Sequence, residues 1–302
     1  MIEEKNEDRQ SFDQDAVMVY IDPHLMQGLA DVAAQKAANF QELLSAAQEG
    51  DLESAYQVAL SYANGRGTSK DSELAFQWFQ RAADGDHIAA QYQLGVCFLR
   101  GIGTEADIPR GLELITSTAD QDYLPSVCEL GLCYEMGTGV EESKERAAEL
   151  YRQAAQQGDA RAQCNLGFFY YRGIGVEESD SEAVYWFSQA AEQEYPRAQF
   201  LLGECYDLGF GVEADMAHAV ELYTKAHNGG YPPATCSLGL CYELGKGVEE
   251  DKERAARLYL QSAEEEDPRA QCNLGFFYYW GIGVEKDLAQ AVLWFSRSAE
   301  QQ

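Results

Sequence analysis

The chain has 302 residues, and 51 Asp or Glu against 22 Lys or Arg give it a formal net charge of −29 at pH 7. So much negative charge repels phosphate backbones and anionic membranes, which argues against nucleic acid as a partner and leaves basic protein segments as the electrostatic match. The chain has no window of about 18 apolar residues, and its first residues, MIEEKNEDRQSFDQD, lack the pattern of a secretory leader. Taken as given, the sequence predicts a cytoplasmic protein that does not insert into membranes.

The N-terminal part of the chain precedes any regular pattern. Residues 1–21 are rich in charge and lack periodicity, so they are predicted to form a flexible acidic tail. A capping helix is predicted over 22–50, with Asp22 as its N-cap and Pro23 in its first turn. Its last part, LLSAAQEGD, matches LYRQAAQQGD of a later unit in register. We therefore interpret this helix as a half-repeat that covers the N-terminal end of an array.

One slot recurs every 36 residues through the rest of the chain, with no insertion that disturbs the register. We call it the anchor slot. Its occupants are Ala59, Gly95, Gly131, Gly167, Gly203, Gly239 and Gly275. The spacing defines seven units, numbered one to seven in chain order: 51–86, 87–122, 123–158, 159–194, 195–230, 231–266 and 267–302. A period of this length predicts a solenoid of stacked supersecondary units.

Each unit has the pattern of two helices joined by a glycine turn, as unit four illustrates. Ala162, Leu166 and Tyr170 form the apolar stripe of a first helix. Gly173 ends that helix by adopting the left-handed conformation, and the glycine two residues later completes a GxG turn. Every second helix begins after an Asp or Ser that can accept hydrogen bonds from its first turn. These caps are Asp71, Asp107, Ser143, Ser179, Asp215, Asp251 and Asp287. The pattern predicts an all-α fold of about fifteen helices with no strand.

The two helices of a unit are predicted to pack closely at the anchor slot. A glycine such as Gly167 permits this approach, and a larger residue there would overpack the pair. The second helix of unit four is predicted to bury five residues at helical spacing. They are Ala183, Trp186, Phe187, Ala190 and Ala191.

Residue types that could carry chemistry are scattered or occupy structural slots. The eight cysteines fall in two slots of the first helix, and free thiols are expected because neither slot has a cysteine partner on the second helix. The four histidines form no triad and no metal-binding motif; they are His24, His87, His218 and His227. The GxG turns lack the lysine of a phosphate loop, and the acidic runs lack the spacing of calcium loops. The sequence therefore predicts no catalytic residue, no metal and no cofactor.

The repeated pattern A-x-x-x-L-G-x-x-Y-x-x-G-x-G-V, followed by A-x-x-W/Y-F/Y-x-x-A-A-x-x-G, resembles the Sel-one-like repeat (SLR) family, a relative of the tetratricopeptide repeats. The residues that carry it in unit four are Ala162, Leu166, Gly167, Tyr170, Gly173, Gly175, Val176, Ala183, Trp186, Phe187, Ala190 and Ala191. The resemblance implies a right-handed α/α superhelix whose first helices line a concave face. It also implies an adaptor or scaffold for protein complexes, since family members, many of them bacterial, mostly have that role.

The tetratricopeptide geometry that this resemblance implies selects five groove-facing slots on each first helix, at −6, −3, +1, +4 and +5 from the anchor slot. We predict that partner-binding residues lie in these slots: Tyr56, Tyr92, Arg100, Glu135, Arg161, Phe168, Tyr171, Arg172, Arg197, Phe200, Glu204, Asp207, Glu243, Arg269, Phe276, Tyr279 and Trp280. Leu99 occupies one such slot as well. Aromatic residues and arginines are enriched at binding hot spots. An alternative for Phe168 and Tyr171 is packing between neighbouring first helices.

Units five to seven look like a copy of units two to four. The segment RAQCNLGFFYY at 161–171 recurs unchanged at 269–279, an offset of three units. Such a copy would present two similar patches in series to a long or bivalent ligand. Growth of the array by duplication explains it equally well.

Three functional hypotheses follow from the sequence. The first is a non-enzymatic adaptor that binds a protein or peptide in its groove, where acidic residues favour a basic partner. The second is a structural module that forms a homodimer through its C-terminal repeat, because Trp294 and Phe295 lie in a last helix with no cap after it in the given sequence. Trimming from a longer parent is the alternative explanation of that uncapped end. The third is a small-molecule-binding or hydrolytic member of the family, favoured only by the aromatic residues of the groove.

Overall fold

The computed structural model describes residues 23–301, which contain fifteen helices and no strand. The predicted all-α fold is confirmed. The helices are α1 (Pro23–Glu49), α2 (Leu52–Asn64), α3 (Ser72–Ala83), α4 (Ile88–Arg100), α5 (Ile108–Ala119), α6 (Leu124–Met136), α7 (Lys144–Gln156), α8 (Ala160–Arg172), α9 (Asp180–Glu192), α10 (Pro196–Leu208), α11 (Met216–Asn228), α12 (Pro232–Leu244), α13 (Lys252–Glu264), α14 (Pro268–Trp280) and α15 (Leu288–Glu300). The predicted tail over 1–21 and the cap at Asp22 lie outside the described residues.

Local chemistry sets the ends of the helices as the sequence predicts. Every second helix has its predicted Asp or Ser as N-cap; in unit four Ser179 Oγ accepts from the Glu182 N–H at 3.3 Å. Every first helix ends at its predicted glycine in the left-handed region, with φ of 60° at Gly173. The N-cap residues and the left-handed glycines therefore set where these helices begin and end through local contacts alone.

Packing within a unit depends on the anchor slot. A Cβ at Gly167 would lie 2.7 Å from Phe187 Cδ1, so the absent side chain leaves room for an aromatic ring of the second helix. Ala183, Phe187 and Ala190 are buried as predicted, whereas Trp186 and Ala191 are only half-buried. The prediction of five buried residues was therefore wrong for these two, which lie toward the edges of the apolar stripe.

Packing between units depends on the second glycine of the GxG turn. A Cβ at Gly175 would lie 2.3 Å from the carbonyl oxygen of Lys144, the first residue of α7 in the preceding unit. The turn of one unit thus meets the main chain of the unit before it. The same contact joins Gly67 of unit one to the Lys36 carbonyl. The C-terminal part of α1 therefore occupies the position that the second helix of a preceding unit has elsewhere in the array.

The contacts are local in sequence throughout the described residues. The main helix contacts all join helices that are consecutive in the chain. The buried residues form successive clusters, and the cluster of units two to four is separate from those of later units. This arrangement is that of a solenoid, in which each unit is stabilised mainly by its neighbours.

The last residue of units one to six has a left-handed backbone. Glycine fills this position at Gly158 and Gly230, whereas Glu194 and Glu266 adopt φ of 59° and 66°. A Cβ at Gly158 would meet nothing within 4 Å, so the position strains the backbone without crowding the side chain. The two glutamates therefore occupy a conformation that disfavours L-residues by roughly 1 to 2 kcal/mol.

Replacing Glu194 or Glu266 by glycine should raise the free energy of unfolding by about 1 kcal/mol each, because relief of the strain exceeds the added flexibility of the unfolded chain. Urea titrations would measure the change. Glu182→Gly, inside α9 where the backbone is helical, is the matched control and should lower stability by about 1 kcal/mol. The same sign for all three variants would contradict this explanation.

Candidate interaction surface

We call the five predicted slots of the first helices the first-helix face. In units one and two, the aromatic residue in slot −3 packs against the N-cap residue of the next unit's first helix. Tyr56 stacks on His87 with ring centroids 4.8 Å apart, and Tyr92 lies 5.7 Å from Tyr123. These contacts cross from one unit to the next and cover part of Tyr56 and Tyr92.

A buried carboxylate ties together two predicted arginines from different units. Glu129 Oε1 lies 2.6 Å from Arg100 Nη2, and Glu129 Oε2 lies 2.8 Å from Arg161 Nη1. The Glu129 side chain is 3% exposed, while those of Arg100 and Arg161 are 47% and 32% exposed. Sequence reasoning missed Glu129 because it lies at −2 from the anchor, outside the five slots. One carboxylate for two guanidinium groups leaves this cluster with net positive charge.

Unit four places its predicted aromatic residues against unit five. The Arg197 guanidinium lies 5.6 Å from the centre of the Phe168 ring and donates to Asn165 Oδ1 at 3.1 Å. The Tyr171 ring lies 5.7 Å from Phe210, which is in the turn after α10. Both aromatic residues are half-buried. The alternative of packing between neighbouring first helices therefore accounts for part of their surface.

Unit seven carries the same RAQCNLGFFYY segment in a more open setting. Phe276, Tyr279 and Trp280 are 50%, 42% and 64% exposed, because within the described residues no following unit covers them. Tyr279 and Trp280 pack edge to face with ring centroids 4.7 Å apart. Arg269 forms an ion pair with Asp267 of its own unit, with Nη2 and Oδ2 3.1 Å apart. Identical sequence thus gives a partly covered patch in unit four and an exposed one in unit seven.

Three predicted acidic residues accept hydrogen bonds from core tyrosines of the second helices. Tyr151 donates to Glu135 at 2.6 Å and Tyr259 donates to Glu243 at 2.6 Å. Tyr223 makes the longer contact of 3.4 Å with Asp207. Burial, and then these carboxylates, raise the pKa of the tyrosines well above the usual range. These half-buried carboxylates therefore accept hydrogen bonds from core hydroxyls and are also partly open to solvent.

The remaining predicted residues separate into buried and exposed groups. Phe200 and Leu99 are 5% and 9% exposed and belong to the core, so they present little surface. Arg172 is exposed and forms no ion pair or hydrogen bond within the described residues.

The most exposed apolar row lies in slot +5. Its members are Met136, Leu208, Leu244 and Trp280, with exposures of 65%, 63%, 50% and 64%. Sequence reasoning selected aromatic and charged residues and so included only Trp280 from this row. The repeated aliphatic residues in a solvent-facing slot were the signal that could have revealed the others.

Three tyrosines that sequence reasoning did not select open the first helices of units three, five and six. Tyr123, Tyr195 and Tyr231 occupy N-cap positions without a capping hydrogen bond. Each is half-buried, and burial raises the pKa of each phenol. Their hydroxyls make no hydrogen bond within the described residues, which leaves them available to a ligand.

Groups that could carry chemistry have structural partners. Burial raises the pKa of the Cys128 and Cys164 thiols to about 12, and all eight cysteines are free. His87 caps α4 and bonds Glu53 at 3.0 Å, while the side chain of His24 lies outside the described part of the molecule. Among residues 31–301, no cluster of His, Cys, Asp and Glu is arranged to hold a metal ion. No helix of the described chain combines the length and apolar character needed to cross a bilayer.

A surface cleft of about 740 Å³ lies away from the first-helix face. It is formed by α5 and the glycine turn of unit three, with Pro109, Leu112, Thr116 and Gly139 in its wall. None of the predicted site residues lines it.

Comparison with protein families gives seven consecutive matches. The model described as the Sel1 repeat matches residues 52–87, 88–123, 125–159, 160–195, 196–231, 232–267 and 268–302. A comparison with curated protein sequences gives no significant match.

Several solved structures share the fold. A protective antigen of uropathogenic Escherichia coli, c5321, which displays an SLR fold, is 31% identical with a TM-score of 0.64. That match covers 87% of this chain and 56% of the antigen, so the chain spans little more than half of that protein. A Sel1 repeat protein from Oxalobacter formigenes is 29% identical with a TM-score of 0.65, over 93% of this chain and 88% of its own. PA5086 from Pseudomonas aeruginosa, at 19% identity and a TM-score of 0.54 over 73% and 83% of the two chains, shares the fold alone.

Proposed function

The chain belongs to the Sel1 repeat family, and from this premise we propose that it is a non-enzymatic interaction module. Its first-helix face, the concave side in this family, binds an extended or helical segment of a protein partner. The observation that carries the proposal is the exposed apolar row of slot +5, which continues on α12 and α14 in the exposed Leu240, Phe276 and Tyr279. Stacking of the units does not require these side chains, so their exposure needs another explanation.

The surroundings of that row suit a protein ligand. Arginines and half-buried tyrosines lie on the same face, and these residue types supply large contact area with few rotatable bonds. The unpartnered hydroxyls of Tyr195 and Tyr231 can donate to carbonyl groups of a bound main chain. Apolar anchors with polar groups beside them are the usual composition of a peptide-binding groove.

Binding should depend on the aromatic residues of units four and seven. Peptides selected on the full chain should bind the Tyr171→Ala/Tyr279→Ala variant at least about tenfold more weakly, since both substitutions remove apolar contact area. Fluorescence anisotropy with labelled peptides would measure the affinity. Tyr185→Ala is the control, because Tyr185 is 53% exposed on the second helix α9. Equal affinity of the double variant and the control would remove the groove assignment.

A second candidate function is self-association through α15. Val292 is 64% exposed, whereas Val220 and Ala256, in the same slot of units five and six, are 6% and 3% exposed beneath the following unit. Leu288 and Leu293 extend the apolar surface, at 54% and 42% exposure. A second copy applying its own α15 would bury this face symmetrically in a homodimer.

Light scattering over a range of concentrations tests the dimer. The wild-type chain should show twice the monomer mass, and Val292→Asp should shift it to the monomer, since a charge cannot be buried there without a partner. Leu240→Asp, on the first-helix face, should leave the dimer intact. A strictly monomeric wild type would contradict self-association.

A further inference from the structure

Helix α10 carries two charged side chains without an ionic partner. Arg197 and Glu204 are seven residues apart, which places them two turns apart on one side of the helix, about 10 Å along its axis. Arg197 contacts Asn165 and the Phe168 ring but no carboxylate of the described residues. Glu204 forms no hydrogen bond or ion pair there; burial raises the pKa of its carboxyl, and the positive charge of Arg269 lowers it without direct contact. Both side chains are half-buried.

Stacking of the units does not neutralise either charge. In the preceding unit the residue equivalent to Arg197 is Arg161, which is neutralised by Glu129, whereas Arg197 finds only the amide of Asn165 in the corresponding position. In the slot of Glu204 the other units have apolar residues: Leu60, Val96, Leu132, Phe168, Leu240 and Phe276. A half-buried charge without a partner is unfavourable for folding. An apolar residue or a pairing carboxylate would serve the fold better, so these charges point to a ligand.

The space between the two charges is lined by aromatic residues. Phe200, one turn from Arg197 and one turn from Glu204, forms a buried floor. The Tyr231 ring from α12's N-cap lies 5.3 Å from the Phe200 ring. Burial raises the pKa of Tyr231; the positive charges of Arg197 and Arg269 lower it, and the negative charge of Glu204 raises it. A buried aromatic residue, a free hydroxyl and two opposite charges thus lie close together on α10 and at the start of α12.

We propose that Arg197 and Glu204, on the first-helix face of α10, recognise a pair of opposite charges in the protein partner. A carboxylate of the partner binds Arg197, and a Lys or Arg of the partner binds Glu204. In a segment with polyproline II geometry the two partner residues lie three positions apart, since three residues make one turn and each advances about 3.1 Å. The inference rests on the proposed function, because it assumes that a peptide lies on this face. Opposite charges at fixed separation set the direction and register of that peptide.

A charge swap on α10 tests the inference. A display library of random twelve-residue peptides is selected in parallel on the wild-type chain and on Arg197→Glu/Glu204→Lys. Wild-type selections should be enriched in an acidic and a basic residue about three positions apart, in one order. The swapped variant should select the reverse order, and each peptide set should bind the opposite protein at least about tenfold more weakly.

The chain offers a matched control for the swap. Arg257 and Glu264 are exposed, seven residues apart on the second helix α13, and neither has a partner within the described residues. Arg257→Glu/Glu264→Lys makes the same chemical change off the first-helix face and should select the wild-type order. If the swapped variant has a lowered melting temperature, the single variants Arg197→Gln and Glu204→Gln replace it. Peptides selected on Arg197→Gln should lose the acidic residue and keep the basic one, and peptides selected on Glu204→Gln should do the reverse.

The outcomes separate this inference from the proposed function. Peptides that depend on Tyr171 and Tyr279 but show no charge pair would overturn the inference and leave the proposed function standing. A charge pair that the control variant also reverses would overturn it too, since bulk electrostatics would then be the cause. Failure to select any peptide on the wild-type chain would remove the proposed function and the inference together.

Discussion

Replacing Gly175 by alanine should lower the free energy of unfolding by roughly 2 to 5 kcal/mol. About 1 to 2 kcal/mol comes from placing an L-residue at φ +63°, and about 1 to 3 kcal/mol from the clash of its Cβ with main-chain atoms of Lys144. The carbonyl at 2.3 Å belongs to the first residue of a helix, so it cannot move aside without disturbing α7. Urea-induced unfolding, followed by circular dichroism, measures the loss.

Gly173→Ala is the matched control for this contact. Gly173 has nearly the same backbone angle, φ +60°, but the nearest atom to its added Cβ is a side-chain carbon of Glu178 at 3.3 Å. Its substitution should therefore cost only the backbone strain of about 1 to 2 kcal/mol. Equal losses for the two variants would show that the contact between units contributes nothing at Gly175.

Removing both arginines around Glu129 should also be severely destabilising. In Arg100→Ala/Arg161→Ala, a carboxylate that is 3% exposed would lose both of its ionic partners. Leaving a buried charge unpaired costs roughly 3 to 5 kcal/mol, whereas either single variant keeps one partner and should lose less. Thermal and urea unfolding at neutral pH would measure both effects.

Two further variants identify the cause of that loss. Adding Glu129→Gln to the double variant removes the buried charge and should restore most of the stability. Arg146→Ala breaks an exposed pair with Glu149, whose side chains are 53% and 58% exposed, and should change stability by less than about 1 kcal/mol. If Glu129→Gln gave no recovery, lost packing of the arginine stems would be the better explanation.

Sequence reasoning reached the fold because helix boundaries are set by local chemistry. The Asp and Ser caps and the left-handed glycines act within one turn, so their spacing predicts the helices directly. The anchor glycine likewise implied a close approach, although the ring of Phe187 that fills the space became evident only in three dimensions.

The candidate site was less predictable because exposure depends on neighbouring units. Phe168 and Phe276 lie in identical eleven-residue segments, yet Arg197 of the next unit covers the first, and no following unit in the described residues covers the second. Glu129 was missed for a related reason, since its two partners lie 29 and 32 residues away. Local sequence could identify the face of each helix but not which side chains on it remain open.

The contact between the GxG turn and the preceding helix has a consequence for how such a chain changes in evolution. Because the turn of unit four meets the main chain at Lys144, this contact places little demand on the side chains of either unit. Unit three is an exception, where Gly139 faces the Ile108 side chain at 2.7 Å. Elsewhere this main-chain contact is kept when whole modules are copied, exchanged or deleted in steps of 36 residues. The three-module duplication in this chain is the kind of rearrangement that such a joint permits.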